Sequence, residues 1–266
     1  MKETVGIQMY TLRKSMTEPE GYDSALRRVS EMGYDTVQVR PPEFWDAGEL
    51  GRRLRGYGLQ ADSAFLPVYE IPERIGEGVE QARAFGTDVL RTDSINNVQR
   101  RSAEGFRAFA EHLNRCGAAL KKEGIRLMYH FHSFEYIKLG DETGMDILLG
   151  ETDPELVLFQ PDVFWLISAG KEPSVELRRF RGRAIYAHFK DYFITQGKDA
   201  ALEVTTSASG PVGVGNLNWK GILKACRDIG IYNFVAEDDI GEVYDPFESA
   251  AISCRNLKKL LGTSPF

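Results

Sequence analysis

Five times along this 266-residue chain an amphipathic stretch runs into a glycine and an apolar stretch follows within a few residues: at Gly33, Gly58, Gly86, Gly124 and Gly230. A glycine just past a helix closes the last turn in the left-handed conformation, so each reads as a helix stop that feeds a strand. Further apolar runs over residues 5–9, 156–160 and 184–189 bring the strands to eight. Helical patterns lie between them, for example over residues 20–32, 102–122 and 246–261; in the last, Phe247, Ala250, Ala251, Cys254, Leu257 and Leu261 make one apolar stripe. Strands alternating with helices predict a parallel sheet with helical cover. Eight such strands, in a chain near the roughly 250 residues typical of the architecture, predict an α/β fold: one (β/α)₈ TIM barrel domain over residues 1–266. An open doubly wound sheet is disfavoured, because no GxGxxG follows the first strand.

The formal net charge of −6 provides no basic face for a phosphate backbone, so nucleic acid is not an expected partner. Cys116, Cys226 and Cys254 are odd in number and widely spaced, which suits a reducing compartment better than a disulfide framework. No signal-peptide core opens the sequence and no apolar run nears the roughly 20 residues of a membrane span. A cytoplasmic protein without a membrane partner is expected.

The strand ends carry the chemistry. Apolar runs finish in Tyr129-His130-Phe131-His132, Gln160-Pro161-Asp162, Ala187-His188-Phe189-Lys190 and Val235-Ala236-Glu237. In a closed barrel these ends share one face, where residues distant in sequence meet. Asp162, His188 and Glu237 end the sixth, seventh and eighth strands and are neighbours around the ring; such a mixed N/O set suits Mn²⁺ or Zn²⁺ better than Ca²⁺. Each alone also has a quieter reading. Asp162 is placed to cap the next helix, His188 to hydrogen-bond within a core, and the run Glu237-Asp238-Asp239 needs cations nearby. If the fifth strand continues through His132, then His130 and His132 share a face and Glu135 arrives from the loop. Any of these three could complete a metal site, leaving the others for proton transfer. His112 falls mid-helix on the outer ring. Two long βα-side segments, residues 131–142 and 192–218, are expected as loops that wall a site.

Over nearly its whole length the chain resembles the sugar phosphate isomerase/epimerase family with the xylose isomerase-like barrel. The opening Gly6-Ile7-Gln8-Met9-Tyr10-Thr11-Leu12-Arg13 is similar to its G-[LI]-Q-[LM]-Y-[ST]-L-R, and Met32-Gly33-Tyr34-Asp35-Thr36-Val37-Gln38 to its L-G-Y-x-x-V-E. Tyr129 to Tyr136 resembles Y-H-N-H-x-x-E-F, Asp162-Val163-Phe164-Trp165 with Ala169-Gly170 resembles D-[VT]-x-W followed by A-G, and Gly182-Arg183 with His188-Phe189-Lys190-Asp191 resembles G-R-x-x-x-x-H-x-K-D. Gly213-Val214-Gly215 matches a later G-x-G, and Glu237 stands for the glutamate of V-E-x-D. The resemblance implies Asp162, His188 and Glu237 as metal ligands with Glu135 as the fourth, and His130 or His132 as the proton-transfer group. Two positions depart from the pattern: Gln38 replaces a strand-end glutamate, and Phe131 replaces the asparagine between the histidines.

The expected activity is metal-dependent sugar isomerisation or epimerisation: a divalent ion polarises a carbonyl and a base removes the neighbouring proton. His130, His132 or Glu237 would handle the proton. Lys190 would bind an anionic oxygen or pair with Asp191. A 3-keto-glycoside lyase or hydrolase would share the first step. A DNA-repair endonuclease of the same fold would need more metal ligands and a basic surface, and a non-catalytic sugar-binding barrel would need none of the base chemistry. The partner expected is a small sugar or sugar derivative, with a homo-oligomer left open.

Overall fold

The computed structural model describes residues 2–196, 205–239 and 243–263. Eight parallel strands form the barrel: β1 (Thr4–Gln8), β2 (Thr36–Gln38), β3 (Gln60–Phe65), β4 (Val89–Thr92), β5 (Arg126–His130), β6 (Val157–Gln160), β7 (Tyr186–Phe189) and β8 (Asn233–Ala236). Around them lie α1 (Pro19–Met32), α2 (Ala47–Gly56), α3 (Ile71–Phe85), α4 (Ala103–Lys122), α5 (Gly144–Glu151), α6 (Val163–Ser168), α7 (Trp219–Ile229) and α8 (Pro246–Leu261), with shorter helical turns between. The five glycine stops all have positive φ, from 70° at Gly58 to 96° at Gly230, as a left-handed cap demands.

Ladders run unbroken from β6 through β5, β4, β3, β2, β1 and β8 to β7. The ring narrows to single contacts between β6 and β7. Pro161 has no N–H to give there, and its carbonyl accepts the His188 N–H at 2.8 Å, so the seam is reduced to an isolated bridge that pairs Asp162 with His188. The break at Pro161 therefore sets these two residues side by side.

Most of the apolar core lies between the sheet and the helices. A smaller plug of Val89, Met128 and Tyr186, with Leu158 against it, fills the barrel interior. Side chains alternate along a strand. Two residues beyond each member of the plug, Arg91, His130, Gln160 and His188 therefore turn inward at the C-terminal mouth.

Both long segments hold more order than expected. Within 192–218 an antiparallel pair forms, Asp191–Gln196 with Thr205–Gly210, because Tyr192, Phe193, Ile194 and Thr195 favour extended backbone; residues 197–204 lie outside the described residues. Within 131–142 a single 3₁₀ turn, Phe134–Tyr136, is followed by a miniature hairpin of Lys138–Leu139 and Glu142–Thr143. His112 sits on α4 as expected, its Nε2 2.9 Å from the Val68 carbonyl oxygen. No helix among the described residues is long and apolar enough to cross a membrane.

Candidate metal centre

At the mouth, His130, Asp162, His188 and Glu237 each present one ligand atom, and these atoms lie within 4.8 Å of one another. All four residues are buried. They come from the ends of β5, β6, β7 and β8, so the barrel's closure, not sequence proximity, assembles them.

Asp162 fulfils both of its readings at once. Its Oδ1 caps α6 by accepting the N–H groups of Phe164 at 2.8 Å and Trp165 at 3.1 Å, while Oδ2 faces the group without a hydrogen bond. His188 Nε2 is 2.7 Å from Gln38 Oε1. An amide oxygen accepts only, so Nε2 carries the proton and Nδ1 is left as a lone pair. That lone pair sits 3.2 Å from Glu237 Oε2 and 3.8 Å from Asp162 Oδ2, with hydrogen-bond geometry to neither. Lone pairs converging in a buried space repel unless a cation lies among them. The donor set therefore fits a divalent ion.

Lys190 is fully buried beside the group. Its ammonium is 2.8 Å from Glu237 Oε2, 2.8 Å from Asp239 Oδ1 and 3.2 Å from Asp162 Oδ2. Burial opposes its charge, but these carboxylates outweigh burial and hold the Lys190 pKa above the ordinary lysine value. Burial likewise works to raise Glu237, but the Lys190 ammonium keeps it well below the carboxylate range. Asp162 is pushed up to about 6, by burial first, with Lys190 opposing and Glu237 adding repulsion. Three carboxylates thus face one ammonium, and the excess of negative charge matches a cation of more than one charge.

Three of the four, His130, His188 and Glu237, line a cavity of about 810 Å³ whose walls include Tyr10, Arg40, Phe65, Arg91 and His132. His132 lines that space. Its ring stacks on Phe134 at 5.1 Å, lies 5.3 Å from Trp165 and 4.8 Å from His130, and its Nδ1 is buried without a partner. Burial, then the Lys190 charge, lowers its pKa, so the ring is neutral at physiological pH. His130 is lowered further, by burial and by the neighbouring imidazoles.

A family model described as a xylose isomerase-like TIM barrel matches residues 26–260. The chain belongs to that family. An inosose dehydratase of Geobacillus kaustophilus is 24% identical over 191 residues, a match that covers 64% of this chain and 61% of that protein. The chain thus spans about three fifths of the curated relative's length. Among solved structures, a sugar phosphate isomerase/epimerase from Parabacteroides distasonis superposes with a TM-score of 0.79 at 20% identity, covering 100% of this chain and 95% of the other. A xylose isomerase-like TIM barrel protein from Mycobacterium smegmatis, solved in complex with magnesium, gives 0.70 at 18% identity over 97% and 96%.

Against the xylose isomerase-like pattern, three residues behave in ways their motifs did not announce. Glu135, implied as the fourth ligand, lies outside the group of four. Its carboxyl accepts the Tyr129 hydroxyl and, at 2.9 Å, the His132 N–H, and burial pushes its pKa up to about 8. His130 stands in the ligand group in its place. Lys190 pairs with Asp162, Glu237 and Asp239 and not with Asp191. Asp191 instead accepts the backbone N–H groups of Gly213 at 2.9 Å and Gly215 at 2.9 Å, and the Trp219 indole N–H at 2.7 Å. A Cβ on Gly215 would fall 2.6 Å from Asp191 Oδ1, which accounts for the second glycine of the G-x-G. Gln38, a departure from the usual glutamate, proves to orient His188; the residue type gave no signal for that role.

Proposed function

We propose that this chain is a divalent-metal-dependent sugar isomerase or epimerase, in which His130, Asp162, His188 and Glu237 hold the ion and His132 moves the proton. The observation that carries the reading is a buried N/O ligand group, three of its members lining a large cavity with a neutral imidazole in its wall. When bound, a Mn²⁺ or Zn²⁺ ion would polarise the substrate carbonyl and stabilise negative charge as it develops. His132 is lowered below the ordinary histidine value and is free to accept the proton from the adjacent carbon. Returned by His132 to the neighbouring carbon on the same face, that proton isomerises; epimerisation takes a proton from cavity water onto the opposite face of the same carbon, leaving the first on His132 to exchange with solvent. Lys190 cannot serve as base while three carboxylates hold its proton. Its charge keeps Asp162 and Glu237 apart from one another's repulsion and so holds the ligand geometry. Glu237, kept ionised, is a ligand and not an acid.

A second reading is favoured by the relatives named inosose dehydratase: the same proton abstraction followed by loss of a β-hydroxyl as water. Both outcomes follow from one test. Mn²⁺-loaded protein is incubated in D₂O with a panel of keto-sugars and inosose, and followed by NMR. Deuterium entering the carbon beside the carbonyl, with an epimer or isomer as product, supports the leading reading; an unsaturated ketone supports the dehydratase. Absence of exchange across the panel, with metal bound, would remove both.

A further inference from the structure

The cavity is lined by a buried cation, Arg91, whose one carboxylate neighbour there among the described residues, Asp93, does not hydrogen-bond it. Arg91 is 6% exposed and ends β4, two residues beyond Val89 of the interior plug, as His130 and His188 end their strands beyond Met128 and Tyr186. Arg91 pairs with Met128 in the β4–β5 ladder, so its strand lies roughly 4.8 Å from that of His130, well within the reach of an arginine side chain. Its Nε is buried with no partner. Its Nη1 is 3.8 Å from Asp93 Oδ2, too far for a hydrogen bond. None of its five donors hydrogen-bonds a described residue, and leaving the buried Nε without an acceptor is costly. The guanidinium carbon lies 4.7 Å over the Phe65 ring, which fixes its plane and leaves its edge free.

Other cations at this end differ. Lys190 is matched by three carboxylates, and Arg74 by Glu70 and Glu77. Arg13 and Arg40 line the same cavity without a carboxylate partner among the described residues. Arg13 spends its donors on the backbone carbonyls of Tyr10 and Asp239, which orient it and cancel none of its charge. Arg13, Arg40 and Arg91 therefore bring positive charge without hydrogen-bonded carboxylate partners among the described residues to a cavity that Glu43 and Asp93 also line.

We propose that the substrate carries an oxyanion group, a carboxylate or a phosphate, and that Arg91 receives it, with Arg13 and Arg40 adding attraction from the rim. A planar guanidinium held by its face offers two parallel N–H groups to such an anion. This narrows the proposed function to anionic sugars and rests on that reading for the rest of the substrate only.

The test avoids the metal and the carbon skeleton. Chelator-treated, full-length protein is titrated with inorganic phosphate and with acetate at constant ionic strength, followed by calorimetry and by thermal shift. At least one anion should bind saturably; acetate preferred over phosphate assigns a carboxylate, the reverse a phosphate. Arg91→Met should weaken that binding by roughly tenfold or more, as loss of a charge-assisted pair implies, and Arg91→Lys should restore part of it. No saturable binding of either anion to wild type overturns the proposal even if Arg91→Met does not fold, and so does unchanged binding to a folded Arg91→Met. Because no turnover is measured, the D₂O experiment can fail while this one succeeds, and the reverse.

Discussion

The two ends of the barrel interior both hold buried polar clusters, and only one of them is complete. At the N-terminal end Asn233 donates to Asp62 Oδ2 at 2.7 Å and accepts from Thr4 and Thr36 hydroxyls at 2.9 and 3.0 Å, while Ser63 donates to Asp62 Oδ1 at 2.8 Å. Every one of these side-chain groups has a partner. At the C-terminal mouth, Gln38 Nε2, Arg91 Nε, His132 Nδ1, Gln160 Nε2 and Oε1, Asp162 Oδ2 and His188 Nδ1 are buried without a hydrogen bond, Asp162 Oδ2 having only the Lys190 ion pair. A buried polar atom left unpaired costs on the order of 1–3 kcal/mol. Such a deficit at one end of an otherwise satisfied interior marks where the molecule is finished by something it binds.

That contrast fails or holds most sharply at the ligands. Asp162→Ala and His188→Ala should each lose the bound ion, read by elemental analysis, and lower kcat/KM by roughly 10³-fold or more, the scale of the several kcal/mol a metal supplies. His130→Ala should do the same, while Glu135→Gln, whose hydrogen bonds an amide can largely keep, should retain the ion. Metal lost from Glu135→Gln and kept by His130→Ala would return the fourth corner to Glu135 and leave His130 for proton transfer.

A smaller effect is expected at Gln38. Its amide oxygen selects the His188 tautomer that presents Nδ1. Gln38→Leu removes that acceptor and should weaken metal binding by about 10–100-fold, the usual cost of losing a ligand's orienting partner, while the stranded His188 N–H should lower metal-free stability by about 1–3 kcal/mol. Metal affinity equal to wild type would mean that barrel packing alone orients the imidazole.

The architecture was legible because it is written in local, repeated signals. Glycine stops at Gly33, Gly58, Gly86, Gly124 and Gly230 and the apolar runs after them specify helix ends and strands wherever they occur, and eight of them leave one closed arrangement. Family membership rested on motifs spread along the chain, and the matched segment, residues 26–260, spans most of them. Site details were less legible because they depend on which strand lies across from which. Asp162 reads as a helix cap or as a ligand, and only the Pro161 seam shows that its two oxygens divide the tasks. Arg91 carried no signal and Gln38 only that of a departure from a strand-end glutamate, since an arginine or glutamine near a strand end is ordinary until the interior plug fixes its direction. Glu135 shows the opposite limit: the motif supplied a carboxylate at a plausible spacing, but the turn Phe134–Tyr136 directs it to Tyr129 and the His132 backbone.

The satisfied end should respond to pH and not to metal. Burial pushes the Asp62 pKa up to about 6 from an ordinary 3.8, with the Ser63 hydrogen bond and the Arg91 charge opposing. A carboxyl raised in the folded state binds its proton more tightly there than in the unfolded chain. Its favourable contribution is thus fully present below 3.8, declines as pH rises to about 6 and is gone above it, an order-of-magnitude total of about 3 kcal/mol. His130 and His132 act in the opposite sense, because their lowered pKa values reduce stability as pH falls below the ordinary histidine value of 6.5. The two trends overlap in a wild-type profile, so the informative quantity is the difference from Asp62→Asn. An asparagine there can accept from Asn233 and donate to the Ser63 hydroxyl, and it does not titrate. In metal-free protein, denaturant unfolding should find Asp62→Asn gaining on wild type between pH 4.5 and 7.5 by about 2 kcal/mol, the cost of the altered hydrogen bonds offsetting the whole difference and not its change with pH. A difference that stays flat across that range, or runs the other way, would show that the lower cluster already accommodates an ionised Asp62, and the distinction between a finished and an unfinished end would then rest on hydrogen-bond partners alone.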